Sequence, residues 1–189
     1  MVADRQAAAA PVPAVTVVVP TYNEALNVAP LTRRIFAALD PATTELLIVD
    51  DDSPDGTAVA AARFAAEFPV RCLVRRGERG LATAVLAGLR DARGAVVVVM
   101  DADLSHPPEA LPQLVAALAD PRIDMALGSR FVAGGRVDQA WPWQRRLLSW
   151  GGRLLARPLC RVRDLASGFF AVRRAQVQVE RLAPLGYKI

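Results

Sequence analysis

Asp101 and Asp103 stand on either side of Ala102, directly after the apolar run of residues 95–100. Alternate residues of an extended segment point the same way. Two carboxylates on one side of a strand end can hold a hard divalent cation. Mg²⁺ or Mn²⁺ prefers oxygen ligands and keeps positions open for water and phosphate. Such a cation would neutralise charge on a leaving diphosphate. The bare spacing is equally that of a solvated pair capping the next helix.

Other candidates surround this pair. Asp50, Asp51 and Asp52 are consecutive, and three adjacent carboxylates repel one another, so something must compensate them. Asp50 ends an apolar run and can accept a hydrogen bond from a nucleobase N–H. Asp55 and Thr57 fit a turn into a helix N-cap. Tyr22 can pack on a base or ribose and Glu24 can accept from a ribose hydroxyl; Asn23 or Glu24 can equally just begin a helix. Arg130, after Gly128 and Ser129, can pair bidentately with a phosphate or form a surface ion pair. His106 is the single histidine. That excludes sites built on several histidines and argues against a nucleophilic triad, leaving His106 as a hydrogen-bonding loop residue.

The elements that must position these residues are legible from periodicity. β-branched or apolar runs at 15–19, 45–50, 70–74, 95–100 and 123–127 read as strands. Segments 25–39, 57–68, 81–92 and 108–119 read as helices, the last with proline in its first turn. Strict alternation of solid apolar strands with helices predicts an α/β fold, a mostly parallel sheet with helices on both faces. Ligands of such sheets bind beyond the carboxyl ends of the strands. The polar clusters at 20–24, 50–55 and 101–106 fall there.

After Gly128 the pattern changes to a glycine-containing loop, 131–139, and a helix, 141–159. That helix carries Trp141, Trp143, Trp150, Arg145, Arg146, Arg153 and Arg157 around a leucine stripe. It fits packing on the sheet or a dimer face, and it also fits a membrane interface. A strand at 167–173 and a short helix at 175–182 complete the reading.

Composition sets the outer bounds. The 189 residues are 53% hydrophobic and 22% charged with a net charge of +4, a globular chain suited to an anionic partner. Nucleic acid is not indicated, because no dense basic run occurs and only 6% of residues are aromatic. Cys72 and Cys160 have no metal spacing and predict no disulfide framework, so a reducing cytosol is the default. No apolar run reaches the ~20 residues that cross a bilayer. Residues 1–14 read as a loose Ala/Pro-rich tail and 15–189 as one domain.

Together these segments resemble family 2 glycosyltransferases of the GT-A fold, and within them dolichol- or polyprenol-phosphate mannosyltransferases. The resemblance rests on VVVPTYNEALNV (17–28), IVDDDSPDGT (48–57), RGERGLATAVLAGL (76–89), VVMDADLSHPPEAL (98–111), LGSRFVAGG (127–135) and DLASGFFAVRR (164–174). It implies inverting, metal-dependent transfer of mannose from GDP-mannose to a polyprenyl monophosphate in glycolipid biosynthesis. By that likeness Pro20, Tyr22, Glu24, Ile48 and Asp50 line the nucleotide. Asp101, Ala102 and Asp103 hold Mg²⁺ or Mn²⁺ and the diphosphate, and Arg130 contacts the diphosphate. Asp101, Asp103 and Arg130 are then the catalytic set. The protein is expected at the cytoplasmic face of the membrane, peripherally, with a separate anchoring subunit as a further partner.

An acceptor phosphate is already anionic at neutral pH, so the missing base is no obstacle. Catalysis reduces to positioning and charge stabilisation. Two residues depart from the family pattern: Ala82 replaces glycine or serine, and Ser105 stands where some relatives place a metal-binding glutamine, which makes it the third expected metal ligand. Relatives also continue beyond the position of Ile189 with a basic segment, so the chain is expected to lack the far wall of the phosphate pocket. A polyprenyl-phosphate hexosyltransferase using a UDP-sugar, or a truncated non-catalytic nucleotide-sugar-binding module, are the competing readings.

Overall fold

A computed structural model describes residues 12–129 and 167–182. Arg130, Cys160, the loop 131–139, the tryptophan- and arginine-bearing helix 141–159 and most of the expected tail lie outside the described residues. The tail is shorter than expected, because Ala14 already donates its N–H to the Thr43 carbonyl (2.8 Å) and accepts from the Val96 N–H (3.0 Å).

The order of elements is β1 (Val15–Thr21), α1 (Ala25–Ala38), β2 (Thr44–Asp50), α2 (Thr57–Phe64), β3 (Val70–Val74), α3 (Leu81–Asp91), β4 (Val96–Val99), α4 (Leu111–Ala117), β5 (Met125–Leu127) and β6 (Phe170–Arg173). They form one six-stranded sheet in the order β3-β2-β1-β4-β6-β5. β1 pairs in parallel with both β2 and β4, and β2 pairs in parallel with β3. β6 is antiparallel to both β4 and β5. The expected mostly parallel α/β sheet is present, with β5 separated from β4 by the reversed strand.

Solid apolar strands arise because both faces are covered. Val17, Val19, Leu46, Ile48 and Val98 pack against Leu31 and Ile35 of α1 and Leu111 and Leu114 of α4. The alternate residues Val18, Leu47, Val49, Val97 and Val99 pack against Val85, Leu86 and Leu89 of α3. This is the period-2 alternation of strands. α3 lies close to β1 because Gly88 has no side chain; a Cβ there would sit 2.3 Å from Val18 Cγ1.

Several boundaries differ from the periodic reading. α2 stops at Phe64 rather than 68, since Pro69 disfavours helical geometry at Phe68. Phe68 instead stacks on Phe36 with ring centroids 4.8 Å apart. The segment from 108 opens as a 3₁₀ turn, Pro108–Ala110, before α4. The helix expected at 175–182 is two 3₁₀ turns, Arg174–Gln176 and Val179–Arg181.

A polar cluster ties the amino edge of the sheet. Glu45 accepts from Thr16 Oγ1 (2.7 Å), from the Arg93 N–H (2.9 Å) and from Arg71 Nε (3.0 Å). Arg71 also donates to Asp91 (2.6 Å). Burial alone pushes the Glu45 carboxyl up, but the bonds from Arg71, Thr16 and Arg93 outweigh it and hold the group below its ordinary value. The native state therefore holds Glu45 ionised more firmly than the unfolded chain does. Its contribution is present above the unfolded value of about 4.3 and is lost as pH falls through the lower native value. E45A is expected to lower the stability at pH 7 by about 2–3 kcal/mol. E45Q should flatten the acid limb of stability against pH, as read by denaturant titration between pH 3 and pH 7.

Candidate functional site

The strand order reverses between β1 and β4. The chain moves outward from β1 through β2 to β3, and α3 then carries it back to the other side of β1. Beyond the carboxyl ends of such a switch point the loops diverge and leave a crevice. A cleft of about 410 Å³ opens there, lined by Pro20 and Thr21 at the end of β1, Tyr22 and Glu24 after it, Asp51 after β2, Arg79, Gly80, Leu81 and Ala84 around the start of α3, and Asp101, Ala102 and Asp103 after β4.

The Asp101–Asp103 pair is part of this wall. Asp101 and Asp103 both face the cleft, while Ala102 between them is buried. The backbone turns rather than extends here, with Leu104 in the left-handed region at φ 61°. The Ser105 N–H donates to Asp103 Oδ1 (2.9 Å) and orients that carboxylate. Asp101 is set from behind. Its N–H donates to His106 Nδ1 (3.0 Å), so that nitrogen carries no proton. The imidazole stacks on Phe169 at 5.0 Å. The 3.7 Å approach of Nδ1 to Asp101 Oδ2 is therefore proximity rather than an ion pair. Gly168 lies beside Asp101; a Cβ there would be in ordinary contact with Oδ1 at 3.4 Å. His106 is thus a positioning residue, as its loop context implied.

Among the described residues no group of three or more His, Cys, Asp or Glu side chains could hold a metal. Two carboxylates converge, and both offer hard oxygen. That donor set fits Mg²⁺ or Mn²⁺, which draw remaining ligands from water and substrate phosphate.

Other expected site residues divide. Tyr22 is exposed, and Glu24 begins α1 from its N-cap position while also lining the cleft. Its carboxylate accepts from Asn27 Nδ2 (2.6 Å). Ile48 is buried in the core beneath α1, not on the cleft wall. Asp50 lies just below the cleft, 1% exposed. It accepts from Thr21 Oγ1 (3.0 Å), Ser53 Oγ (2.6 Å) and the Ser53 N–H (2.9 Å), and so organises the β2 loop. Ser105 is not among the lining residues. Asp55 is a capping residue as expected, but it caps two helices. It accepts from the Ala25 N–H of α1 (3.0 Å) and from Thr57 of α2. The Thr57 hydroxyl and the Ala25 N–H hold its carboxyl below the ordinary range. Cys72 is no nucleophile, because burial and the Asp50 charge push its thiol up to about 11.

Sequence reasoning missed the third wall. Asp51 is buried and paired with Arg75, whose Nε donates to Oδ1 (2.7 Å), and the Gly80 N–H donates to Oδ2 (2.8 Å). Arg75 also donates to Thr83 Oγ1 (3.1 Å). One ion pair thus joins the ends of β2 and β3 to the start of α3. Gly80 is at φ 145°, a region where a side chain is strained. Looking for polar residues after β3, as after β1, β2 and β4, would have found Arg75 to Gly80.

These walls belong to a recognisable family. The Glycosyl transferase family 2 model matches residues 16–179. The chain is a member of that family. It is 44% identical over 179 residues to a dolichol-phosphate mannosyltransferase of Pyrococcus furiosus, covering 93% of this chain and 50% of that protein. It is 43% identical to the dolichol-phosphate mannosyltransferase of Saccharomyces cerevisiae, covering 86% and 62%. The chain therefore spans about half to three-fifths of the length of these relatives. Among solved structures it resembles a mannosyltransferase from Pyrobaculum calidifontis in complex with GDP-mannose and Mn²⁺, at TM-score 0.62 and 28% identity, covering 86% of this chain and 45% of that one. Glucosyl-3-phosphoglycerate synthase of Mycobacterium tuberculosis, solved with Mn²⁺ and UDP, aligns at TM-score 0.63 and 26% identity, covering 86% and 57%.

The Asp51–Arg75 pair makes a testable demand. D51A is expected to cost about 3 kcal/mol, because it strands a buried guanidinium. The double variant D51L/R75M should recover most of that loss in chemical denaturation. A double variant as unstable as the single one would show that the cost is not one of unpaired charge.

Proposed function

We propose that this family 2 glycosyltransferase chain transfers mannose from GDP-mannose to a polyprenyl monophosphate, with inversion at the sugar carbon and with a divalent cation. The observation that carries the reading is the convergence of Asp101, Ala102 and Asp103 with Pro20, Tyr22 and Glu24 on one cleft at the switch point. The identity to dolichol-phosphate mannosyltransferases supports the acceptor, and the GDP-mannose and Mn²⁺ of the Pyrobaculum calidifontis structure support donor and metal.

In this reading Tyr22 and Glu24 bind the nucleoside, with Asp50 bracing the loop beneath them. Asp101 and Asp103 hold Mg²⁺ or Mn²⁺, which supplies charge stabilisation to the departing diphosphate. Arg130 adds a cation to that diphosphate. An acceptor phosphate needs no general base, and His106, committed through Nδ1 to the Asp101 N–H, is not asked to provide one. Among the described residues no helix is long and apolar enough to cross a membrane. In this reading the protein works peripherally at the cytoplasmic face of the membrane, with the expected amphipathic segment 141–159 or a separate subunit supplying the anchor.

The test is transfer of radiolabelled mannose from GDP-mannose into an organic-soluble lipid, with polyprenyl phosphate and Mn²⁺. D103A is expected to lower transfer at least about a hundredfold without lowering the melting temperature, since Asp103 is exposed. Transfer from UDP-glucose in place of GDP-mannose would overturn the donor assignment and favour the UDP-dependent reading that the second neighbour supports. Calorimetry should show heat for GDP with Mn²⁺; none at millimolar ligand would overturn the site itself.

A further inference from the structure

Arg79 is the one basic side chain among the described residues lining the cleft, against the carboxylates of Glu24, Asp51, Asp101 and Asp103. Its guanidinium carbon lies 4.7 Å from the centroid of the Tyr22 ring. The other arginines of the loop are committed elsewhere. Arg75 is buried against Asp51 (2.7 Å), and Arg76 approaches Asp52 at 4.0 Å. Arg79 has the ring contact and, among the described residues, no hydrogen bond or ion pair. An exposed arginine beside several carboxylates ordinarily finds one. Here Asp51 is taken by Arg75 and Gly80, Glu24 by Asn27, and the exposed Arg79 is left resting on the Tyr22 ring. Stacking on a ring holds a guanidinium at low entropic cost and leaves its planar fork available to an oxyanion.

Charge balance says what it is available for. A cation at Asp101 and Asp103 offsets those two carboxylates and leaves the charge of a nucleoside diphosphate uncompensated. A positive group on the cleft wall, besides the Arg130 of the reading above, would offset that charge, and the β3–α3 loop supplies Arg79.

We propose that Arg79, aimed by Tyr22, is a diphosphate-binding residue for the nucleotide donor. This rests on the donor-binding reading above and adds a residue and a division of labour to it. Tyr22 is then the platform of a cation as well as a candidate nucleoside contact. It should tolerate phenylalanine, which keeps the ring, better than alanine.

The test is calorimetric titration of GDP with Mn²⁺ into the 189-residue chain at low and at high ionic strength. R79A is expected to weaken GDP about tenfold at low salt, with the gap narrowing at 0.5 M salt, roughly, as screening removes the charge contact. R79K should recover part of the loss by keeping charge without the planar fork. The melting temperature should not move measurably, because the side chain is exposed and its one contact is with the exposed Tyr22 ring. Y22A should weaken GDP, and adding R79A to it should cost less than R79A does alone, because the platform is already gone. Unchanged affinity in R79A would overturn the proposal, as would a loss independent of salt. If the unaltered chain fails to bind GDP, the proposed function itself falls instead.

Discussion

The cleft depends on β1 being paired on both edges and buried on both faces. Val17, Val18 and Val19 are fully buried, and β1 carries parallel ladders to β2 on one side and β4 on the other. A strand so enclosed has one free direction at its carboxyl end, which is outward into the switch point. Right-handed crossovers lie behind the arrangement. Moving from β1 to β3 sets α1 and α2 on one face, and returning to β4 sets α3 on the other. Loops arriving from opposite sides of β1 then cannot close over its end. Gly88 shares in this, since its missing side chain lets α3 settle on Val18 and brings Gly80 and Leu81 to the cleft.

The strand-end loops are held by one another rather than by their own helices. α1, α2 and α3 have no side-chain cap from their own N-cap residues. Instead Ser53, Asp55 and Thr57 of the β2 loop bind the backbone N–H groups of Asn23, Ala25 and Glu24. Asp51 binds the Gly80 N–H in the same way. Among the described residues three non-glycine positions, Asn23, Asp52 and Leu104, adopt positive φ, one in each loop after β1, β2 and β4. Left-handed geometry at such residues persists only where surroundings over-determine it, and it gathers at functional sites. The bonds between loops are that over-determination.

The parallel architecture was legible because burial on both faces writes itself as unbroken apolar runs. Asp101 and Asp103 were legible for a related reason. They interrupt such a run abruptly, at the edge where ligands bind. What stayed hidden depends on partners distant in sequence. The need to compensate Asp50, Asp51 and Asp52 could be read, but not that Thr21, Arg75 and Arg76 would divide the task. Pairing of β6 between β4 and β5 was hidden for the same reason, as a short strand's neighbours are set by contacts 40 or more residues away. Ile48, set against the nucleotide by the family likeness alone, is buried in the core beneath α1, and that depth depends on strand register and helix packing rather than on its own residue type.

The carboxylates at this edge therefore fall into two kinds, and the distinction is electrostatic. Asp50, Asp51 and Asp55 are spent on the protein: each accepts at least two hydrogen bonds that fix its own loop or tie it to another element, and removing one loosens the scaffold. Asp101 and Asp103 are set in place through the backbone N–H groups of Asp101 and Ser105, and no Lys or Arg among the described residues pairs with either. Two adjacent, partly exposed negative charges without a counter-charge are unfavourable in an empty cleft. The fold tolerates them because Asp51–Arg75 and Asp50 rigidify the opposite wall independently of them. A scaffold stabilised by one set of acids can carry a second set that no described Lys or Arg pairs, and a divalent cation would offset the charge of that second set.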